Sequence, residues 1–228
     1  MSLPGRRLTS LLAATASLVA VLASRPVAAE TTADELVQAL QRPYDSIKDF
    51  SADFVHRYQG GVLRKQISER GHVLIKKPGK MRWDYTAPEK KLFVSDGVRI
   101  YSYIPEDKQV VVSAQPRDAQ TTAPALFLAG KGNLTRDFTP SLVDNPAGSP
   151  PGARSLKLVP KTQQPDYDWL VFTLDPATLS IQGLLTMDAQ GGESAFFFTN
   201  LKENTGLADK EFAFNIPRGV DVVTDAAR

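Results

Sequence analysis

Residues 76–110 read KKPGKMRWDYTAPEKKLFVSDGVRIYSYIPEDKQV, and three short extended runs can be cut from them at their turns. Pro78-Gly79 precedes MRWDY, Asp96-Gly97 separates KLFVS from VRIYSYI, and Pro105-Glu106-Asp107 ends the third run. Pro presets φ and Gly supplies positive φ, so these pairs mark turns between strands and not the interior of a helix. Within the first run Met81, Trp83 and Tyr85 alternate with Lys80, Arg82 and Asp84. That period of two puts oily side chains on one face and charge on the other. Nucleic-acid grip, membrane contact and the wall of an apolar cavity all use such alternation.

The same period runs through FSADFVHRY (50–58), with Phe50, Ala52 and Phe54 on one side, and returns after Gly60-Gly61 in residues 62–76. KQVVVS, SLKLV, WLVFTL, LSIQGLLTMD, ESAFFFTN and FAF follow, set apart by Gly, Pro and Asp turns. At least nine strand candidates in this order indicate a mainly β, antiparallel sheet, curled or closed. No βαβ spacing occurs, so parallel pairing is not expected.

Two helices interrupt the strands. Thr32 and Glu35 form a capping box, Leu36, Val37 and Leu40 recur at helical spacing, and Pro43 is expected to close that helix. In TTAPALFLAGKGN (121–133), Pro124 suits a first helical turn, Leu126-Phe127-Leu128 is bulky, and Gly130 and Gly132 end it. Two turns of helix are not stable alone in water, so this segment must rest on a surface. DNPAGSPPGA (144–153) reads as a surface loop.

The first 29 residues stand apart. Arg6 and Arg7 precede the apolar run Leu11 to Ala23, and Val27-Ala28-Ala29 supplies small residues at a cleavage point. This is the pattern of a secretory signal peptide, cleaved after Ala29; the apolar run is shorter than the ~20 residues a membrane span needs. Residues 30–228 then form a single domain. The whole chain carries 27 basic against 25 acidic residues, but three of the arginines (Arg6, Arg7, Arg25) fall in the leader. The remainder holds 24 basic and 25 acidic residues, a formal net charge of −1. Nucleic-acid binding rests on phosphate neutralisation, so a near-neutral exported chain argues against that partner. The absence of cysteine excludes disulfides, thiolate catalysis and cysteine metal sites.

Catalytic chemistry is poorly represented. The two histidines, His56 and His72, lie on strands and read as surface or structural residues. The nucleophile elbow, the paired-histidine zinc motif and the phosphate loop are all missing, which argues against an enzyme and gives no reason to expect a cofactor or a metal. What stands out is apolar: Met81, Trp83 and Tyr85 share one face, and Phe196, Phe197 and Phe198 are consecutive. Composition alone leaves open whether these fill a core or line a cavity.

Four stretches, taken in order, resemble the periplasmic lipoprotein carriers of the LolA family. They are the opening helix with IKDFSADF, the run 76–110, APALFLAG, and the closing FFFTNLKENTGLADKEFAFNIPRGVDVV. The resemblance implies an unclosed antiparallel β-barrel, a half-barrel covered by short helices, that shields the acyl chains of lipoproteins. It implies cargo delivered by an inner-membrane ABC-type release complex, surrendered to an outer-membrane receptor, and carried by a monomer in the periplasm. Carried over by position, Leu40 belongs to the N-terminal lid helix, Met81 and Trp83 to the cavity wall, and Leu126 and Leu128 to the second lid helix; Leu36 joins Leu40 in the helix's apolar stripe. Phe54, Tyr101 and Phe127 join the same cavity by strand or helix phase. Family members commonly place arginine before the strand-opening proline, where it holds the lid; this chain has Lys77, a point charge in place of a planar fork. Two other readings remain: a carrier of another lipid on the same half-barrel, and a periplasmic hydrolase, which would need a clustered serine, histidine and acid.

Overall fold

The structure is a computed structural model that describes residues 31–60, 65–115, 128–130, 132–164, 166–188 and 190–224. It opens with helix α1 (Ala33–Ser46), capped as the sequence predicts: Thr32 Oγ1 accepts from Glu35 N–H at 3.2 Å, and the Glu35 carboxylate accepts from Thr32 N–H at 2.9 Å. The expected stop at Pro43 is overturned, because α1 continues through that proline to Ser46. Proline removes one helical hydrogen bond. The last turn is held instead by burial of Tyr44 and by Ile47 N–H donating to the Pro43 carbonyl at 3.1 Å.

Among the described residues twelve strands follow in one sheet, where the sequence predicts at least nine. They are β1 (Asp49–Gln59), β2 (Gln66–Lys76), β3 (Lys80–Ala87), β4 (Lys91–Asp96), β5 (Arg99–Ile104), β6 (Gln109–Ala114), β7 (Phe138–Val143), β8 (Arg154–Pro160), β9 (Trp169–Leu174), β10 (Ile181–Met187), β11 (Glu193–Glu203) and β12 (Asp221–Thr224). The spatial order is β12-β6-β5-β4-β3-β2-β1-β11-β10-β9-β8-β7. Since β12 and β7 stand at opposite edges, the sheet is unclosed. A one-turn helix, α2 (Leu134–Asp137), leads into β7 and packs against α1.

One strand is added to those read from sequence, and two local readings are corrected here. FTPSLV forms β7 despite Pro140, and it can do so because an edge strand leaves one row of N–H groups unneeded. FAF is not a strand: Phe212 ends a 3-10 turn (Asp209–Phe212) and is buried. Finally β12 pairs with β6 in parallel, the one parallel pairing in the sheet order.

Register defines two faces. Paired residues share a face, so Phe50, Ile75, Met81 and Ser95 form one row, Ala52, Val73, Trp83 and Phe93 the next, and Phe198, Phe54, Gly71 and Tyr85 a third. This inner face carries α1, whose Leu36, Val37, Leu40 and Tyr44 join the same buried cluster. Gly71 is required in its row. A Cβ there would lie 2.7 Å from Phe54 Cζ and 2.1 Å from the Asp84 carbonyl oxygen, so only glycine lets the Phe54 ring close onto the strand.

The outer face of β2–β5 is covered by the chain after β11. Buried Asp49 pins the start of that segment by accepting from the N–H groups of Thr205 (2.7 Å) and Gly206 (3.1 Å). Asp209 then bridges Lys76 (2.6 Å) and Lys80 (2.9 Å), and these two lysines hold its carboxyl down to about 2. Most of the basic residues around the Pro78-Gly79 turn are therefore paired within the fold and do not form a free cationic surface.

Candidate ligand cavity and its cover

Aromatic rings dominate the centre of the inner face. Phe54 meets Trp83 edge-on at 5.2 Å and Tyr85 at 4.9 Å, and Trp83 leans on Phe196 at 5.1 Å and Phe198 at 6.3 Å. Leu36 and Leu40 are both buried in the same cluster. The interior is thus packed by the protein's own side chains.

Among the described residues a pocket lies beneath the C-terminal end of α1, between Leu40, Tyr44, Phe50, Leu128, Leu179 and Phe198. Its volume is about 50 Å³. One water occupies roughly 30 Å³ of liquid, and small-molecule sites usually run to ~300 Å³ or more. The pocket therefore marks a seam between α1 and the sheet, too small as it stands for a long apolar chain.

Lys77 fastens that seam. Its Nζ donates to the Tyr44 carbonyl and sits 3.8 Å from the centre of the Tyr44 ring. Helix α1 has acids in its first turn and no base in its last, so Lys77 supplies from outside the positive charge that a helix C-terminus favours. The same turn also holds the second covering segment: Gly79 N–H donates to the Ala129 carbonyl at 2.9 Å, and Gly130 lies flat on the Lys77 stem. A Cβ on Gly130, which has φ of +79°, would come within 2.6 Å of Lys77 Cδ. Burial lowers the Lys77 ammonium to about 8, against the pull of Asp45 and Glu203.

Among the residues singled out from sequence, Leu36, Leu40, Phe54, Met81, Trp83 and Leu128 come together in one buried cluster. Leu126 and Phe127 lie outside the described residues. Tyr101 is not part of the inner face and is corrected here. It pairs with Val94, and Val94 with Arg82, which places it on the outer face; there its ring lies 5.5 Å from Phe214. The aromatic character of VRIYSYI gave no sign of which face was covered by the C-terminal segment.

A polar chain on the inner face escaped the sequence reading. His56 Nε2 is 2.8 Å from Ser194 Oγ, His56 Nδ1 is 3.2 Å from Glu69, and Lys91 donates to the other Glu69 oxygen at 2.6 Å. Its members come from β1, β2, β4 and β11, and no sequence spacing could have joined them. The order serine, histidine, carboxylate is that of a hydrolase triad. The surroundings do not suit that chemistry. Ser194 sits inside a ladder with Tyr58 on one side and Thr186 on the other, so the neighbouring strand amides are committed to pairing and are not aimed at an oxyanion. The imidazole is also stacked flat on Phe196, with centroids 4.1 Å apart. Each member has a partner within the chain, and burial lowers the His56 pKa while Glu69 opposes the shift. The arrangement is a satisfied buried network that fixes β1, β2 and β11. Among the described residues no group of three acids or histidines could hold a metal ion.

With this geometry in place, comparisons with known proteins give a consistent picture. Residues 45–215 match the family model "Outer membrane lipoprotein carrier protein LolA". An outer-membrane lipoprotein carrier protein of Chromohalobacter salexigens is 32% identical over 86% of this chain and 89% of its own length. One from Methylococcus capsulatus is 31% identical over 86% of this chain and 90% of its own. In structure, an uncharacterized conserved protein from Thermus thermophilus superposes with a TM-score of 0.51 at 12% identity, covering 83% of this chain and 97% of that one. That last likeness speaks to the fold alone.

Proposed function

The chain belongs to the outer membrane lipoprotein carrier family, and from that premise we propose that it receives the acyl chains of lipoproteins on the inner face of its sheet and carries them across the periplasm. It acts as a chaperone and not as an enzyme. The observation that carries this reading is the apolar wall of Phe54, Met81, Trp83 and Phe198, covered by a helix that Lys77 holds at its C-terminal end. In this reading Leu36 and Leu40 on α1 cover the chains from one side. Leu128 covers them from the other, and the family resemblance assigns Leu126 and Phe127, which lie outside the described residues, to the same lid.

Energetics favour such a device. Each methylene moved from water into an apolar site stabilises the complex by ~0.8 kcal/mol, so fully enclosed acyl chains bind with great strength. A carrier must also let go. Here the rings that would contact cargo already contact one another, which lowers the net gain on loading.

Cargo and a receptor are the partners such a carrier requires. The finer assignment is an inner-membrane ABC-type complex as donor and an outer-membrane receptor as acceptor, with the protein working as a monomer and without cofactor. Residues 1–29 act as an export signal removed after Ala29, and residues 30–228 as the carrier domain. Among the described residues no helix is long and apolar enough to cross a membrane.

The test is native mass spectrometry of the protein purified from its own periplasm, followed by loading from vesicles that hold a triacylated lipoprotein. Co-purification or capture of that lipoprotein supports the reading. Capture of a free lipid in its place would keep the cavity and change the cargo. Failure of both vesicle loading and co-purification would overturn it.

A further inference from the structure

Every polar group in the His56 chain has a partner, but Trp83 does not. Its Nε1 is buried without a hydrogen-bond acceptor among the described residues, and the residue as a whole is 4% exposed. The indole sits at the centre of β3, on the inner face, between the rings of Phe54 and Phe196 and next to Phe198, which lines the pocket under α1. Folding strips water from this N–H, and the phenylalanine rings packed around the indole carry no conventional acceptor. Phenylalanine would fill much of the same space without leaving a donor unpaired. A buried donor that the closed fold leaves empty-handed calls for a use in another state.

We infer that the Trp83 Nε1–H is a specificity contact that donates to the carbonyl oxygen linking an acyl chain to its head, once the cover has lifted and the chain has replaced the neighbouring rings. This rests on the proposed acyl-chain cargo and adds a chemical distinction to it. An apolar wall alone holds any hydrocarbon of suitable length. A wall with one unpaired donor favours chains that bring a carbonyl acceptor, as esters and amides do; an alkyl ether keeps its bridging oxygen but has no carbonyl oxygen at that position. Discrimination of this kind is strong for its size because the rejected ligand leaves a buried polar group unpaired. The other indole, Trp169, lies on β9 with Lys157 Nζ 4.6 Å from its ring centre, and serves as an internal control.

The experiment compares two synthetic ligands on the mature protein: a cysteinyl peptide bearing an S-(2,3-diacyloxypropyl) group, and its dialkyl-ether counterpart of equal chain length. Calorimetric titration of wild type should favour the ester by roughly three- to tenfold, the worth of one neutral hydrogen bond. In Trp83→Phe the ratio of the two affinities should fall to about one. The Trp83 indole proton, followed by NMR in wild type, should move downfield with the ester and not with the ether, while the Trp169 indole stays put. That second readout stands even if Trp83→Phe does not fold. Equal affinity for the two ligands with an unmoved Trp83 resonance overturns the hydrogen bond while leaving the carrier intact. Binding of neither ligand overturns the carrier reading itself and this contact with it.

Discussion

At Lys77 two opposing effects meet. The ammonium donates to the Tyr44 carbonyl and lies over the Tyr44 ring, which attracts it to the closed cover. Burial works the other way and prevails, bringing the group to about 8. When α1 lifts, the amine returns to water and to an ordinary value of ~10.4. The open state therefore binds the proton more tightly, and raising the pH from about 8 towards ~10 favours closure. Hydrogen exchange of the α1 amides, corrected for intrinsic rate, should slow over that window, and Lys77→Met should abolish the trend; protection that falls with pH would contradict the assignment of Lys77 to the cover. His56 predicts a loss at the acid end. Its folded pKa is depressed by burial, so the unfolded chain takes up the proton first. Stability is full above the unfolded value of ~6.5 and declines as the pH falls through it towards the folded value. Urea unfolding at several pH values would show this slope, and His56→Gln should flatten it.

At the scale of elements, the proposed cover consists of α1 and residues Leu128–Gly130. Leu128 is buried, lines the pocket and contacts the same cluster as α1. The cation in the described lining is Lys77, which already donates to the Tyr44 carbonyl, so a carboxylate there competes for the contact that holds α1. Leu128→Glu should thus open the cover, at a cost of a few kcal/mol that falls on closure and not on the sheet. Loading of acylated cargo should drop by tenfold or more while the far-ultraviolet circular dichroism stays that of the wild type. Unchanged loading would remove Leu128 from the cover.

Such elements were legible in sequence to different degrees, for identifiable reasons. The β1–β6 run was readable because its turns carry Pro-Gly and Asp-Gly and its strands alternate with period two. The capping box at Thr32 and Glu35 worked because it is local. Pro43 misled because a buried Tyr44 and a cation from a distant turn outweigh one missing hydrogen bond. Pro140 concealed β7 because only its edge position makes that strand possible. Tyr101 and the FAF segment were misplaced for a shared reason. The chain after β11 folds across the outer face, and that arrangement depends on Asp49 and Asp209 contacts made over more than a hundred residues.

For the whole molecule, the unusual property is an apolar interior packed by its own aromatic rings, which on the proposed reading must compete with cargo. Phe198 shows the principle best: it is 6% exposed, lines the pocket, pairs with Phe54 across the β1–β11 ladder and touches Trp83. On the proposed reading its ring occupies volume that an acyl chain takes on loading. Phe198→Ala leaves a void there, and in the unloaded state this should cost about 3–5 kcal/mol. For a chain of this size each kcal/mol corresponds to roughly 2–4 °C in Tm, so unloaded protein should melt on the order of 10 °C lower. Cargo fills the same void, so the loaded variant should recover much of that loss. Since the loaded state is then less destabilised than the free one, the variant should hold lipoprotein more tightly than wild type. Transfer of a labelled lipoprotein from the loaded protein to acceptor outer membranes should accordingly slow by tenfold or more, even though the free protein is less stable. Faster or equal transfer would mean that Phe198 grips cargo instead of competing with it, and release would then have to come from the acceptor alone.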